Sequence, residues 1–151
     1  MANLKILNSK QLKLIKQIVK KQFDCDYAFD YMVMQNPDQK LYLMNKEYKN
    51  IDDSKLRINS LGMYFGQIKN GELRLTIEGS QILGPIAKKN VIEINDGLLK
   101  LWIRGHDIEV DNSENGFFIV KHKNDYIGSG KLKQGVLLNF ISKIRRIYSK
   151  D

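Results

Sequence analysis

Lys121, Lys123, Lys131 and Lys133 stand at every second position within two stretches that read as strands. If those strands pair about a turn at Asn124-Asp125, the four ammonium groups share one face. Like charges on one face repel unless an anion lies close. Lys143, Arg145 and Arg146 follow soon after, and Arg104 lies upstream. These eight side chains make the expected RNA-facing surface, with Lys and Arg reaching phosphates. If about four to six phosphates are engaged, log K should fall with log salt at a slope near −3 to −5. Lys13, Lys16 and Lys20 form a secondary basic face on an N-terminal helix. Tyr64, Tyr126 and Tyr148 are the candidates for stacking on a base.

The chain offers little that could carry catalysis. Gly128-Ser129-Gly130-Lys131 lacks the leading glycine of a phosphate-cradling loop, and Leu132 fills its Ser/Thr position. A strand pattern continues on both sides, so Gly128 and Gly130 read as a bulge or a close backbone approach. Cys25 lies between Asp24 and Asp26, which raise a thiol pKa rather than activate it. Asp52 and Asp53 lack a third metal ligand at a suitable spacing, and two histidines, His106 and His122, support neither a triad nor a metal centre. The expectation is a non-catalytic binding module with no cofactor and no metal.

The whole chain bounds this further. It has 151 residues, 42% hydrophobic and 28% charged, which excludes disorder and low-complexity arrays. One cysteine excludes a disulfide framework. No uncharged run approaches the roughly 20 residues that span a bilayer, so no membrane role is expected. Residues 1–10 lack the apolar stretch of a secretion signal, and a reduced, cytoplasmic protein is expected. The net charge of +8 is segregated. Residues 1–23 carry six lysines and no acid, and 119–151 carry eight basic residues and two acids. The intervening stretch is net negative. Segregation of this kind marks a polyanion-facing surface more than mere solubility does.

The elements that must position these residues follow from periodicity. Residues 9–23 read as a helix capped by Ser9, with Leu12, Leu14, Ile15, Ile18, Val19 and Phe23 on one side and lysines on the other. Residues 27–35 and 40–45 form a hairpin about Asn36-Pro37-Asp38. A strand over 57–69 turns at Asn70-Gly71, the strongest hairpin signal in the chain, and returns over 72–76. A short helix over 76–87 is weakened by Gly79, Gly84 and Pro85. Beyond residue 88 come a strand from Val91, a helix capped by Asn95 or Asp96 and stopped by Gly105, and strands near 107–110, 116–122, 126–133 and 136–141. The fold class is α+β, divided as 1–88 and 89–151, with a small barrel in the second part.

An ordered set of motifs carries a resemblance. LGMYFG at 61–66, RL at 74–75 and LGPIAK at 83–88 are followed by WIRGHDIEV at 102–110, GFFIV at 116–120 and IGSGK at 127–131. This order resembles the Nip-seven ribosome-biogenesis family. It implies an N-terminal α/β pre-PUA domain at 1–88 and a C-terminal PUA-type β pseudo-barrel at 89–151 that binds RNA. His106 stands where the PUA pattern has a small residue, and Glu109-Val110-Asp111 stands where Pro-Gly is frequent. The tail KLKQGVLLNFISKIRRI at 131–147 is also similar to the PUA-like module of Fmu/Sun-type rRNA cytosine methyltransferases. No S-adenosylmethionine loop accompanies it, which leaves a stand-alone relative of that module as the other implication. The implied partners are RNA, rRNA first and tRNA second, and proteins of ribosome assembly or RNA modification. The rival expectation is a protein–protein adaptor in such a complex.

Overall fold

The computed structural model describes residues 4–48 and 62–147. Asp52, Asp53, Tyr148 and the first part of the expected 57–69 strand lie outside the described residues. Two five-stranded sheets organise the chain. The front sheet runs in the order β1 (Lys5–Ile6), β2 (Met32–Gln35), β3 (Lys40–Met44), β4 (Gly62–Lys69) and β5 (Glu72–Leu75), antiparallel throughout. The rear sheet contains β6 (Val91–Glu93), β7 (Ile108–Glu109), β8 (Gly116–His122), β9 (Asp125–Lys133) and β10 (Val136–Asn139) in the order β6-β8-β9-β10-β7. It is antiparallel except for the β6–β8 pair, and it curls as a half-barrel, so the architecture is α+β as expected.

Helix α1 (Ser9–Phe23) lies on the front sheet. Its cap is Asn8 rather than Ser9: the Asn8 side chain accepts from the Gln11 N–H, and the Gln11 side chain accepts in return. Ile15, Val19 and Phe23 enter the core with Val33, Leu41, Leu43, Phe65 and Leu73. Leu14, expected on the apolar side, is 57% exposed. It sits among the lysines because the buried arc is narrow and is completed by Gln22. Tyr27 and Phe29 precede β2 instead of belonging to it, and their rings pack against Phe65.

Two tight turns follow directly from sequence. Asn70-Gly71 (φ 51° and 78°) and Gln134-Gly135 (φ 51° and 79°) both hold two successive residues in the left-handed region, which suits a two-residue hairpin. The β8–β9 turn differs from the expectation. Its loop residues are Lys123-Asn124, with Lys123 at φ 53°. The turn therefore starts one residue early and removes Lys123 from the strand.

The two sheets share a core. Ile119 of β8 is buried in the front cluster, and Val91 and Tyr126 pack against it. Helix α2 (Ile77–Leu83), capped by Thr76, lies between the sheets against both β4 and β9. A second cluster fills the rear sheet, around Trp102 of α3 (Asp96–Ile103), Phe118, Val120, Leu132 and Leu137. The seam is hydrogen-bonded as well. Buried Gln22 donates to the Leu73 carbonyl at 2.8 Å and accepts from the Leu73 N–H at 2.7 Å. Its amide also reaches the Phe117 carbonyl at 3.5 Å. Ser129 donates to the Leu75 carbonyl at 2.7 Å, and the Lys88 N–H donates to the Phe23 carbonyl at 2.8 Å. Gln22→Leu keeps the volume but strands a buried N–H and two carbonyls. We expect a loss of about 2–3 kcal/mol, measured by denaturant unfolding; a change below about 0.5 kcal/mol would show that the amide is not holding the seam.

Candidate nucleic-acid interface

The C-terminal segment beyond β10 is tied down by one side chain. Asn139 donates from Nδ2 to the carbonyls of Trp102 (2.8 Å) and His106 (3.1 Å) and accepts from the Ile141 N–H (2.7 Å). Its own N–H donates to the Asp107 carboxylate at 2.8 Å. The chain then makes a 3₁₀ turn over Lys143–Arg145, and the Ile147 N–H reaches the Ile103 carbonyl at 2.8 Å. Arg146 donates from Nε to the Ile141 carbonyl at 3.1 Å and lies across Gly105, where any Cβ would collide with its guanidinium. Gly105, at φ +91°, also turns the chain out of α3 beside Arg104. Arg104 and Arg146 are thus neighbours, and Lys143 is exposed on the adjoining turn.

The eight expected cations do not form one continuous ridge. Lys121, Lys131 and Lys133 point to the same side of the β8–β9 pair, as period-two spacing requires. Lys131 lies over the Phe117 ring (5.5 Å) and Lys121 over the Tyr126 ring (5.5 Å), each beside its cross-strand partner. Four residues of strand, about 13 Å, separate the two ends. Ile119 and Ser129 fill that interval, buried against the front half. Lys123 departs from the set because it occupies the turn, where its ammonium lies 3.9 Å from Asp96. Asp96 also meets His122 at 2.7 Å, and these two partners, His122 first, hold its carboxyl below the usual range. Arg145 turns away from Arg146 and donates from Nη1 to both Glu78 oxygens, at 2.8 and 2.9 Å. Lys13, Lys16 and Lys20 are exposed on α1 as a separate stripe, with Lys20 at 3.6 Å from Asp24 and 3.7 Å from Asp26.

What the fold does assemble is a row of alternating cations and rings at the seam. Arg74 of β5 lies over Phe140 at 4.9 Å. Phe140 packs on Phe117 at 6.2 Å, and Lys131 covers Phe117. This row borders a cleft of about 540 Å³ between the sheets, lined among others by Tyr64, Thr76, Ser129, Phe140 and Arg145. Phe140 remains 42% exposed. Arg74 is oriented by Gln67, which accepts from Nη2 at 3.1 Å. Burial pushes the Tyr64 phenol up despite the pull of Arg74, so it remains a neutral hydrogen-bonding group. Arg74, Gln67, Glu78 and Phe140 are functional candidates that charge spacing alone missed. The signals available were Arg74 within the conspicuous RL pair and Phe140 directly ahead of the basic end.

Residues 89–147 match the family model described as the PUA domain of methyltransferase RsmF. All eight expected cations, from Arg104 to Arg146, lie inside that span. The match supports the PUA-like tail, and a PUA domain points to RNA binding. It covers the accessory domain of the methyltransferase and not its catalytic domain. No curated protein matches the chain.

Gly128, at φ +134°, lies at a β-bulge opposite Val120 and Lys121, and a Cβ on Gly130 would come within 2.6 Å of the Leu138 carbonyl oxygen and 2.7 Å of the Trp102 ring, so the two glycines of the GSGK stretch mark a bulge and a close approach. Cys25 is buried, and burial, then Asp26, push its thiol up. Among the described residues no group of three His, Cys, Asp or Glu could hold a metal, and no helix is long and apolar enough to cross a membrane.

The Glu78–Arg145 bridge gives a pH prediction. Burial would raise the Glu78 carboxyl, but the hydrogen bond from Arg145, a backbone N–H, the Arg145 charge and Thr76 together outweigh it and leave the group lowered. A lowered carboxylate stabilises the fold above its ordinary pKa, and the contribution is lost as pH falls through the lowered value. We expect Glu78→Gln to melt about 1–3 °C below wild type at pH 7, with the gap closing in acid below the ordinary carboxylate range. Melting curves at pH 7 and pH 3 decide it; a constant gap would mean that the bridge does not titrate in this way.

Proposed function

We propose that this is a non-catalytic, cytoplasmic RNA-binding protein acting on rRNA, with tRNA as the second candidate, in ribosome biogenesis or RNA modification. The family match over 89–147 carries the reading, because a PUA domain suggests RNA binding and the matched span holds all eight expected cations. Lys131, Lys133, Lys143, Arg104 and Arg146 supply phosphate contacts, and the Arg74–Phe140 pair, backed by buried Phe117, supplies the stacking surface. The front half resembles the Nip-seven family, and that resemblance supports the ribosome-assembly setting. The test is affinity for a structured rRNA fragment at 50 and 200 mM salt. A slope of log K on log salt near −3 to −5 is expected for about four to six phosphates, and absence of binding at the lower salt overturns the reading.

An adaptor role is supported by a different observation. Ile144 is 93% exposed and Ile147 60%, and Ile147 lines a groove of about 610 Å³ with Ile77, Ile103 and Ile141. Pull-down of ribosome-assembly proteins before and after nuclease treatment separates the two readings: partners that persist without RNA favour the adaptor, and partners lost with RNA favour direct RNA binding.

A further inference from the structure

We propose that the cleft between the two sheets receives one unstacked nucleotide of RNA, its base stacking on the Arg74–Phe140 pair and its flanking phosphates meeting Lys131 and Arg145. The inference rests on the RNA-binding reading and names the form of RNA that this site takes.

Three observations converge on a single planar, anionic-flanked guest. First, the cleft, at about 540 Å³, falls within the size range of small-molecule sites and is closed on two sides by β4–β5 and β9. A duplex, whose bases are held inside the helix, has nothing that could enter it. Secondly, its wall is planar and cationic: the Arg74 guanidinium lies at 4.9 Å from the Phe140 ring, which keeps 42% of its surface open. Guanidinium planes and aromatic rings are the two surfaces on which unpaired bases stack. Thirdly, two cations are fixed but not used up: Arg145 in the lining, and Lys131 just beyond it, joined to Phe140 through Phe117. Lys131 is held over Phe117 without a carboxylate partner among the described residues. Glu78 engages only Nη1 of Arg145, and Arg145 is part of the cleft lining. The acids nearby are accounted for: Glu78 is committed to Arg145, and Glu72 reaches toward Gly116. The Ser129 hydroxyl in the lining donates to the Leu75 carbonyl and keeps its lone pairs to accept from a base edge, whereas the Thr76 hydroxyl is committed to the α2 cap, where it accepts from the Gly79 N–H at 3.0 Å.

The test uses the full chain and two loop-free RNA duplexes of equal length, one with 2-aminopurine paired opposite uridine and one carrying a single bulged 2-aminopurine. Wild type should prefer the second by about tenfold and quench its fluorescence on binding. Phe140→Ala should bring the two affinities together and abolish the quench, and Arg74→Gln should shrink the preference; circular dichroism confirms that each variant is folded. Equal wild-type affinity for the two RNAs, or a preference that survives Phe140→Ala, overturns the cleft assignment while leaving RNA binding intact. Absence of binding to either RNA at low salt overturns both.

Discussion

Gly79→Ala is expected to lose about 3 kcal/mol or more of folding stability, a fall of roughly 10 °C in Tm for a chain of this size. Gly79 sits in α2 where the helix crosses β4. A Cβ there would run into the Phe65 carbonyl oxygen and come within 3.1 Å of Leu75 Cδ2. The obstructing atom is backbone, already engaged by the Thr76 N–H at 3.1 Å and the Thr76 hydroxyl at 3.0 Å, so it cannot yield cheaply. The helix would have to lift off the sheet, opening the seam at the cleft. Gly97→Ala in α3 is the control: its Cβ would meet only the Asn95 side-chain oxygen at 3.5 Å, ordinary contact, and should be neutral or slightly stabilising. Thermal melts of the two variants side by side check the argument. Equal shifts would mean that the close approach to Phe65 is not what excludes a side chain.

Reversal of Lys131, Lys133 and Lys143 to Glu should weaken binding of a structured RNA about 100-fold at low salt and flatten its salt dependence. All three are free of carboxylate partners among the described residues, so their reversal changes the face without breaking an ion pair. Arg145 is left in place because its reversal would set two carboxylates against each other at Glu78, and Arg146 because it packs the tail over Gly105. The matching reversal of Lys13 and Lys16 on α1 should cost about tenfold or less, since that stripe lies on a separate element. Equal losses for the two sets would place the contact on both faces and contradict a C-terminal interface.

Local rules were enough for much of the fold. The Asn-Gly and Gln-Gly turns, the Asn95 cap and the Gly105 stop are set by backbone preferences within a few residues, and they are legible for that reason. Gly79 was legible only as a weak point in a helix, because its reason, the Phe65 carbonyl, lies on another element. The parallel pairing of β6 with β8 is likewise invisible to periodicity, which carries no information on strand order. For the site, alternation along β8 and β9 correctly set Lys121, Lys131 and Lys133 to one side. A one-residue change in the turn removed Lys123, and the front half covered the middle of that face. The cleft draws on Tyr64, Arg74, Ser129 and Phe140, which only the docking of two sheets brings together.

The most direct measurement is ultraviolet crosslinking of bound rRNA to the intact protein, with mass spectrometry of the nucleotide-bearing peptides. Adducts should concentrate in peptides from 62–76 and 117–146, with Tyr64, Phe140 or their immediate neighbours among the modified residues. Adducts confined to the α1 peptides at 9–23, or none above a protein without bound RNA, would contradict an interface at the seam.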